Sequence, residues 1–295
     1  MHTATYYIDL LLSGITVGSL YALIAIGYTM VYGILRLINF AHGDIFMMAG
    51  FFMVYISASM PMAVAIPVVL LMTVALGLLI ERAAYKPLRS APRMSVMISA
   101  IGVSYLLQNL ATYITGGLAR PYPEIPFLKG TFMLGALKIK IITVVTPLLT
   151  ILLVIALVIF INHTKTGMAM RAVSRDFDTA RLMGIKVNNI ISVTFIIGSF
   201  LAGVGSILYF SNYGQVSPTI GAMPGLKAFV AAVFGGIGSI PGAVLGAYII
   251  GICESLIKAN DAIAIFSNAF TFALLILVLL FKPNGMFGEK LAEKV

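Results

Sequence analysis

The sequence predicts an all-α polytopic membrane protein with about eight or nine transmembrane helices, one or two of them short or broken. Three observations support this fold class. The 295 residues are 60% apolar and 10% charged, whereas soluble domains are about 45–50% apolar and about 25% charged. The mean hydropathy is +1.06. Charge-free stretches recur along the chain, and each is long enough to cross a hydrocarbon core of about 30 Å.

The charged residues favour a membrane topology over a nucleic-acid-binding surface. The formal net charge is +9, but Lys and Arg lie between the apolar stretches and do not form a basic patch interleaved with aromatic residues. The sequence therefore predicts no nucleic-acid partner. We interpret residues 1–295 as a single transmembrane domain in the lipid bilayer.

Nine crossings are predicted, because two of the apolar stretches are interrupted. Met60 and Pro61 divide the first, since proline removes a hydrogen-bond donor and disfavours a continued helix. A glycine-rich run at 235–242 divides the second. The piece at 45–58 reaches only about 20 Å, so we expect a half-helix or a re-entrant segment shielded by protein. The predicted crossings are 10–30, 45–58, 62–80, 94–114, 142–161, 190–210, 225–235, 241–257 and 262–281.

The basic residues predict the orientation of the chain. One set of connections carries thirteen of the 19 Lys and Arg residues, and cytoplasmic loops are enriched in these residues. This set includes the C-terminal end, and nine crossings put the two termini on opposite sides. We therefore expect the N-terminus outside and the C-terminus in the cytoplasm.

The connection at 162–189 is long, polar and predicted to be cytoplasmic. Two short helices are expected, one over about 167–174 and one that begins after Asp176 or Asp178 and ends at Gly184. Either aspartate can accept hydrogen bonds from a helical first turn, and glycine suits a left-handed C-cap. Such a helix-turn-helix can dock into the groove of a partner. The alternative is a solvated connecting loop, although long ordered connections without a role are uncommon.

Polar residues precede or interrupt the predicted membrane helices. Asn39, His42 and Asp44 lie just before 45–58. In the structural interpretation, Gly43 and Asp44 start the helix at Ile45 while Asn39 and His42 satisfy backbone groups around the broken segment. In the alternative, they line a translocation path together with Gln108 and Asn109 of the fourth span. No metal site is predicted, because His42 and Asp44 have no third ligand nearby.

The glycine-rich run allows two interpretations. It does not match a dinucleotide fingerprint, since it ends in proline and opens a membrane helix. Gly238, Gly242 and Gly246 recur every four residues, which predicts close helix packing. Alternatively, backbone opened at Gly235, Gly236 and Gly238 exposes polar groups to a translocation path. Glu254, four residues before Lys258 on the eighth span, is expected to form an interfacial ion pair.

Three separated motifs carry a resemblance to a known family. They are TGMAMRA at 166–172 with ARLMGI at 180–185, INFAHGDIFMMAGFF at 38–52, and AAVFGGIGSIPGAVLGA at 231–247. Together they resemble the smaller permease subunit, of the LivH type, of the bacterial ABC importers for branched-chain amino acids, which implies a type II ABC importer permease-like fold. By this resemblance Arg171, Ala172, Ala180, Gly184 and Ile185 belong to the ATPase-coupling element. The same segment also contains Gly167, and we add Asp176 and Asp178 as caps or polar contacts.

The resemblance implies a transport subunit that is not an enzyme. A homologous second permease, two cytoplasmic ATPase subunits and a periplasmic substrate-binding protein would complete the importer in the inner membrane. The chain contains no Gly-Lys dipeptide and hence no G-x-x-x-x-G-K-[ST] loop, so ATP and Mg²⁺ are expected on the partner subunits and no cofactor on this chain. Leucine, isoleucine and valine are the implied cargo, with urea or short amides as the alternative.

Two other classes of protein are less well supported by the sequence. An ion-coupled secondary transporter usually places carboxylates well inside the membrane, whereas the acidic residues here lie near the predicted span ends. An intramembrane enzyme would need a motif such as H-E-x-x-H or G-x-S-x-G, and the sequence contains neither.

Overall fold

The computed structural model describes residues 2–89, 91–134, 137–282 and 285–287, and this part of the chain is mainly helical. The α-helices are α1 His2–Leu35, α2 His42–Ser57, α3 Met62–Ile80, α4 Arg93–Thr115, α5 Ile141–His163, α6 Lys165–Arg175, α7 Phe177–Leu182, α8 Val187–Tyr213, α9 Ala222–Gly235, α10 Ile240–Lys258 and α11 Ser267–Phe281. A π-helical turn, Glu81–Tyr85, extends α3, and a short 3-10 helix, Ala264–Phe266, precedes α11.

The helices confirm the predicted fold class. Every predicted crossing falls on a helix, and seven helices of the described chain are long and apolar enough to span a membrane. Two of the predicted crossings form shorter helices: α2 has 16 residues and α9 has 14 residues. Most of α2 is buried within the protein, as expected for a short segment that cannot leave its unsatisfied ends in lipid. The protein is therefore a multi-pass membrane protein with two shortened helices.

The start of α2 differs from the structural interpretation of the sequence. The helix begins at His42 and not at Ile45. The backbone N–H groups of Asp44 and Ile45 donate to the carbonyl of Ala41, at 3.1 and 3.0 Å, and no side chain caps this end. The Asp44 carboxylate is thus not needed as a cap, because the preceding turn supplies the acceptor.

The centre of the bundle is α1, which packs mainly along α10, α8 and α9. Glycines make the contact with α10 close. A Cβ atom on Gly18 would lie 2.8 Å from the Cα of Tyr248, and one on Gly251 would lie 2.3 Å from the backbone nitrogen of Gly18. Small residues at such contacts let two membrane helices approach backbone to backbone.

The outer helices α4, α5 and α11 expose large apolar side chains, among them Leu106 on α4 and Leu152 on α5. These faces suit lipid or another membrane subunit.

Two small antiparallel strand pairings lie in the connections between helices, and the sequence did not predict them. One joins β1, Arg120–Pro121, to β4, Gln215–Val216, and the other joins β2, Thr131–Leu134, to β3, Leu137–Lys140.

Candidate functional site

A polar seam lies between the start of α2 and the middle of α4. Asp44 is buried, with 2% of its surface exposed. One carboxylate oxygen accepts a hydrogen bond from Gln108 Nε2 at 3.0 Å, and the other accepts one from the Ser104 hydroxyl. No cationic side chain that the structure describes lies within ion-pair distance of Asp44. The carboxylate is therefore held by two neutral donors and lacks a countercharge.

The other predicted polar residues at this helix start are also buried. Asn39 Oδ1 accepts a hydrogen bond from the Tyr85 hydroxyl at 2.8 Å. His42 packs edge-on against Tyr28, with 4.9 Å between the ring centroids. Asn39 Nδ2 and His42 Nε2 have no hydrogen-bond partner among the described residues. The Asn39 side chain thus bonds to a side chain of the π-helical turn and not to the backbone of its own segment. We call Asn39, His42, Asp44, Ser104 and Gln108 the polar seam.

Asn109 lies apart from the polar seam. Its side chain is exposed and donates to the carbonyl of Tyr105 on its own helix at 2.8 Å. Gln108 is half-buried and points to α2. Neighbouring positions on a helix are about 100° apart, so the two amides face different sides of α4. The structure brings Gln108, but not Asn109, to the predicted path residues.

The turn between α9 and α10 depends on glycine. Gly236 and Gly238 have φ angles of +108° and +100°, which glycine adopts readily and other residues rarely do. A Cβ on Gly235 would lie 1.9 Å from the carbonyl oxygen of Gly242, and one on Gly246 would lie 2.3 Å from that of Ala231. Gly242 and Gly246 therefore lie in a close helix contact, as predicted.

Gly238 differs from the packing prediction. An added Cβ there would meet no atom within 4 Å among the described residues, so its backbone conformation in the turn is what requires glycine. Two carbonyl groups at the break also accept hydrogen bonds from residues far along the chain. Gly235 accepts a hydrogen bond from the N–H of Phe287 at 3.0 Å, and Phe234 accepts one from Met286 at 2.9 Å. These bonds favour a packing role over exposure of the carbonyls to a path.

The connection at 162–189 forms the two predicted helices, α6 and α7. Thr164 caps α6 by accepting from the N–H of Gly167 at 3.0 Å. Asp176 caps α7 by accepting from the N–H groups of Asp178 and Thr179, at 2.9 and 3.0 Å. Gly184 ends this helix-turn-helix with a φ of +80°. The predicted capping is confirmed, and Asp176 is the N-cap.

The helix-turn-helix has an anchored side and an exposed side. The buried residues include Gly167, whose added Cβ would lie 2.3 Å from the carbonyl oxygen of Ile161 on α5, and Ala180 of α7. Leu182 and Met183 are 87% and 78% exposed. The remaining predicted coupling residues are distributed between these sides. Ala172 and Ile185 are half-buried, and Arg171, Asp178 and Gly184 are exposed.

Two arginines make contacts near this helix-turn-helix. Arg36, between α1 and α2, donates to the carbonyl of Ser174 at 3.2 Å and has a φ of +55°, which is unusual for a residue with a side chain. Arg89 bonds to the buried Glu81 and to Asn188 at the start of α8. Burial lowers the pKa of Arg89, and the Glu81 carboxylate opposes this shift. No local motif identifies these contacts.

Another buried carboxylate, Glu254, lies between α1, α9 and α10. Glu254 Oε1 accepts hydrogen bonds from Lys227 at 2.7 Å and from Lys258 at 2.5 Å, and Oε2 accepts one from the Tyr21 hydroxyl at 2.9 Å. The predicted Glu254–Lys258 pair is therefore confirmed. Lys227 and Tyr21 were missed, because they come from other helices. No group of three potential metal-ligating side chains occurs among the residues that the structure describes.

Comparison with known proteins places the chain in a family. The family model described as "Branched-chain amino acid transport system / permease component" matches residues 10–279. The high-affinity branched-chain amino acid transport system permease protein BraD of Pseudomonas aeruginosa is 41% identical over 306 residues, covering 98% of each chain. The permease protein LivH of the same type of system in Escherichia coli K12 is 40% identical over 305 residues, with the same coverage. The probable branched-chain amino acid transport permease protein LivH of Methanocaldococcus jannaschii is 28% identical over 287 residues, covering 92% of this chain and 89% of the relative. No solved structure matches the chain. This chain belongs to the family of branched-chain amino acid transport system permease components.

Proposed function

We propose that this chain is the membrane-spanning permease subunit of an ABC importer that carries leucine, isoleucine and valine across the bacterial cytoplasmic membrane. The observation that carries the proposal is the pairing of a multi-pass helical bundle with an exposed helix-turn-helix at 162–189, in a chain similar to named branched-chain amino acid permeases along 98% of its length. A bundle without such a protrusion would lack an evident contact through which another subunit could move its helices.

The exposed side of α6 and α7 supports a protein partner. Leu182 and Met183 are large apolar side chains that project from a polar segment rich in arginine. Apolar side chains rimmed by polar ones are typical of protein-protein contacts. In the proposed importer, two separate ATPase subunits dock here and carry ATP and Mg²⁺. A homologous permease covers part of the outer helices, a substrate-binding protein delivers cargo from outside, and the N-terminus lies outside with the C-terminus inside.

Two contacts support transmission of movement from this segment to the bundle. Gly167 packs directly on Ile161 at the end of α5, and Arg36 ties Ser174 of α6 to the connection that leads into α2. Closure of the ATPase subunits would therefore displace α5 and the start of α2 together. The polar seam lies at that helix start, so a rocking motion there alternately opens and closes the path.

The test uses the importer reconstituted in proteoliposomes with its binding protein and ATPase subunits. Leu182→Asp combined with Met183→Asp should release the ATPase subunits and lower ATP-driven leucine uptake at least about tenfold, because two charges replace the centre of the contact. Leu118→Asp is the matched control, since Leu118 is also exposed and apolar but lies in the connection that follows α4.

Several results would overturn the proposal. Uptake by the chain without an ATPase subunit would favour an ion-coupled transporter. Chemical labelling of residues 162–189 from outside intact cells would contradict the orientation. Competition of leucine uptake by urea or acetamide, with none by isoleucine or valine, would favour the amide-carrying alternative.

A further inference from the structure

An apolar cleft lies between α2 and α4, about one helical turn beyond the polar seam along each helix. The cleft has a volume of about 150 Å³, and it is lined by Met48, Phe51, Phe52 and Tyr55 of α2 and by Ala111, Ile114 and Thr115 of α4. The Thr115 hydroxyl already donates to the carbonyl of Ala111 on its own helix, at 2.8 Å. No charged side chain lines it. A cleft of this composition favours an apolar occupant, because water there would find too few hydrogen-bond partners.

The polar and apolar parts are close neighbours. Met48 lies four residues after Asp44 and Ala111 lies three residues after Gln108, which corresponds to about 6 Å and about 4.5 Å along the two helix axes. The carboxylate and the mouth of the apolar cleft are therefore separated by about the distance from an amino-acid nitrogen to its side chain.

The carboxylate has capacity for a further donor. An ionised carboxyl group has about four acceptor sites, and Asp44 uses one on each oxygen, for Ser104 and Gln108. Both donors are neutral, and a buried charge without a countercharge is costly. The structure therefore provides an acceptor for a cation beside a cavity for an apolar group.

We propose that this α2–α4 site holds the transported amino acid during translocation, with its α-ammonium group on Asp44 and its aliphatic side chain in the cleft. Ser104 and Gln108 orient the carboxylate. A cavity of about 150 Å³ admits a molecule the size of benzene, so a branched side chain of three or four carbons fits. This inference rests on the proposed function and adds a substrate site within the permease itself.

The cleft opens at the protein surface, where its lining residues Tyr55 and Ile114 are exposed, but Asp44 is buried in this conformation. Access requires α4 to separate from α2. This is feasible because α4 lies at the edge of the bundle and packs mainly on α2 and the π-helical turn. The residues on its other face, such as Leu106, are exposed.

The experiment measures uptake of radiolabelled leucine and alanine by the complete reconstituted importer, at saturating concentrations of the binding protein. Asp44→Asn should lower leucine uptake at least about tenfold, because it removes the buried ion pair between the carboxylate and the substrate ammonium group. Asp44→Glu keeps the carboxylate and should retain part of the uptake. Assembly is checked by co-elution of all subunits in size-exclusion chromatography.

The second variant tests the cleft and does not depend on the first. Ala111→Leu fills the space and should lower the leucine-to-alanine uptake ratio several-fold, a change in selectivity that simple destabilisation does not produce. Leu106→Phe, on the exposed face of the same helix, is the matched control and should leave the ratio unchanged.

The outcomes separate this inference from the proposed function. A wild-type complex that takes up none of leucine, isoleucine and valine refutes the proposed function. Wild-type uptake together with full activity of Asp44→Asn refutes the ammonium site and shows that uptake does not require the charge of Asp44. An unchanged uptake ratio in Ala111→Leu refutes the placement of the side chain, and this readout decides the matter if Asp44→Asn fails to assemble.

Discussion

The buried ion cluster around Glu254 leads to a quantitative prediction about stability. Glu254 and Lys227 are 3% and 5% exposed, and Lys258 is 52% exposed. Glu254→Gln leaves the Lys227 ammonium buried without a carboxylate, and breaking a buried pair in this way costs about 3–5 kcal/mol. Lys258→Ala removes only a half-exposed partner, so the expected loss is about 0–1 kcal/mol.

A double variant isolates the cause. Lys227→Met combined with Glu254→Gln removes the orphaned charge as well as its partner, so this protein should be more stable than Glu254→Gln alone. The assay is thermal unfolding of the purified complex in detergent, followed as loss of the monodisperse peak in size-exclusion chromatography. Equal midpoints for Glu254→Gln and Lys258→Ala would refute the reasoning, as would a double variant that is less stable than Glu254→Gln.

Two further predictions concern packing and capping. Gly246→Leu should cost about 1–3 kcal/mol and reduce the yield of folded protein, because its Cβ would lie 2.3 Å from the Ala231 carbonyl oxygen. Gly102→Leu is the control, since a Cβ there meets no atom within 4 Å among the described residues, and similar yields for both would count against the close contact. Asp176→Ala should destabilise α7 by about 0.5–2 kcal/mol and speed amide hydrogen exchange there. Asp178→Ala removes no capping bond and should have a smaller effect, so equal exchange rates in the two variants would contradict the cap.

Local physical chemistry explains why much of the architecture could be predicted. The apolar stretches locate the helices, Pro61 and the glycine-rich run locate the breaks, and a spacing of four residues pairs Glu254 with Lys258. The cap at Asp176 and the left-handed Gly184 were predicted for the same reason. Each depends on residues within about one helical turn, and such interactions follow from sequence spacing alone.

The glycine-rich run shows the limit of spacing arguments. A repeat of four predicts that Gly238 packs with Gly242 and Gly246, yet Gly238 lies in the turn before α10 begins. The repeat is helical only where the chain is helical, and Ser239 begins the helix by capping the N–H of Gly242. Residues 286 and 287, which close this turn by hydrogen bonds, lie about 50 positions away, and nothing in the local pattern indicates them.

The sequence alone determined that this chain is a membrane-embedded helical bundle, because composition and helical period act over short distances and the bilayer admits few alternatives. It favoured a helix-turn-helix over a solvated loop at 162–189. Only the tertiary structure decided which polar groups meet. It joins Asp44 to Gln108 across 64 positions and Glu254 to Tyr21 across 233. Partners brought together by helix packing leave no trace in local spacing, and the cleft beside Asp44 exists only because α2 and α4 leave space between them.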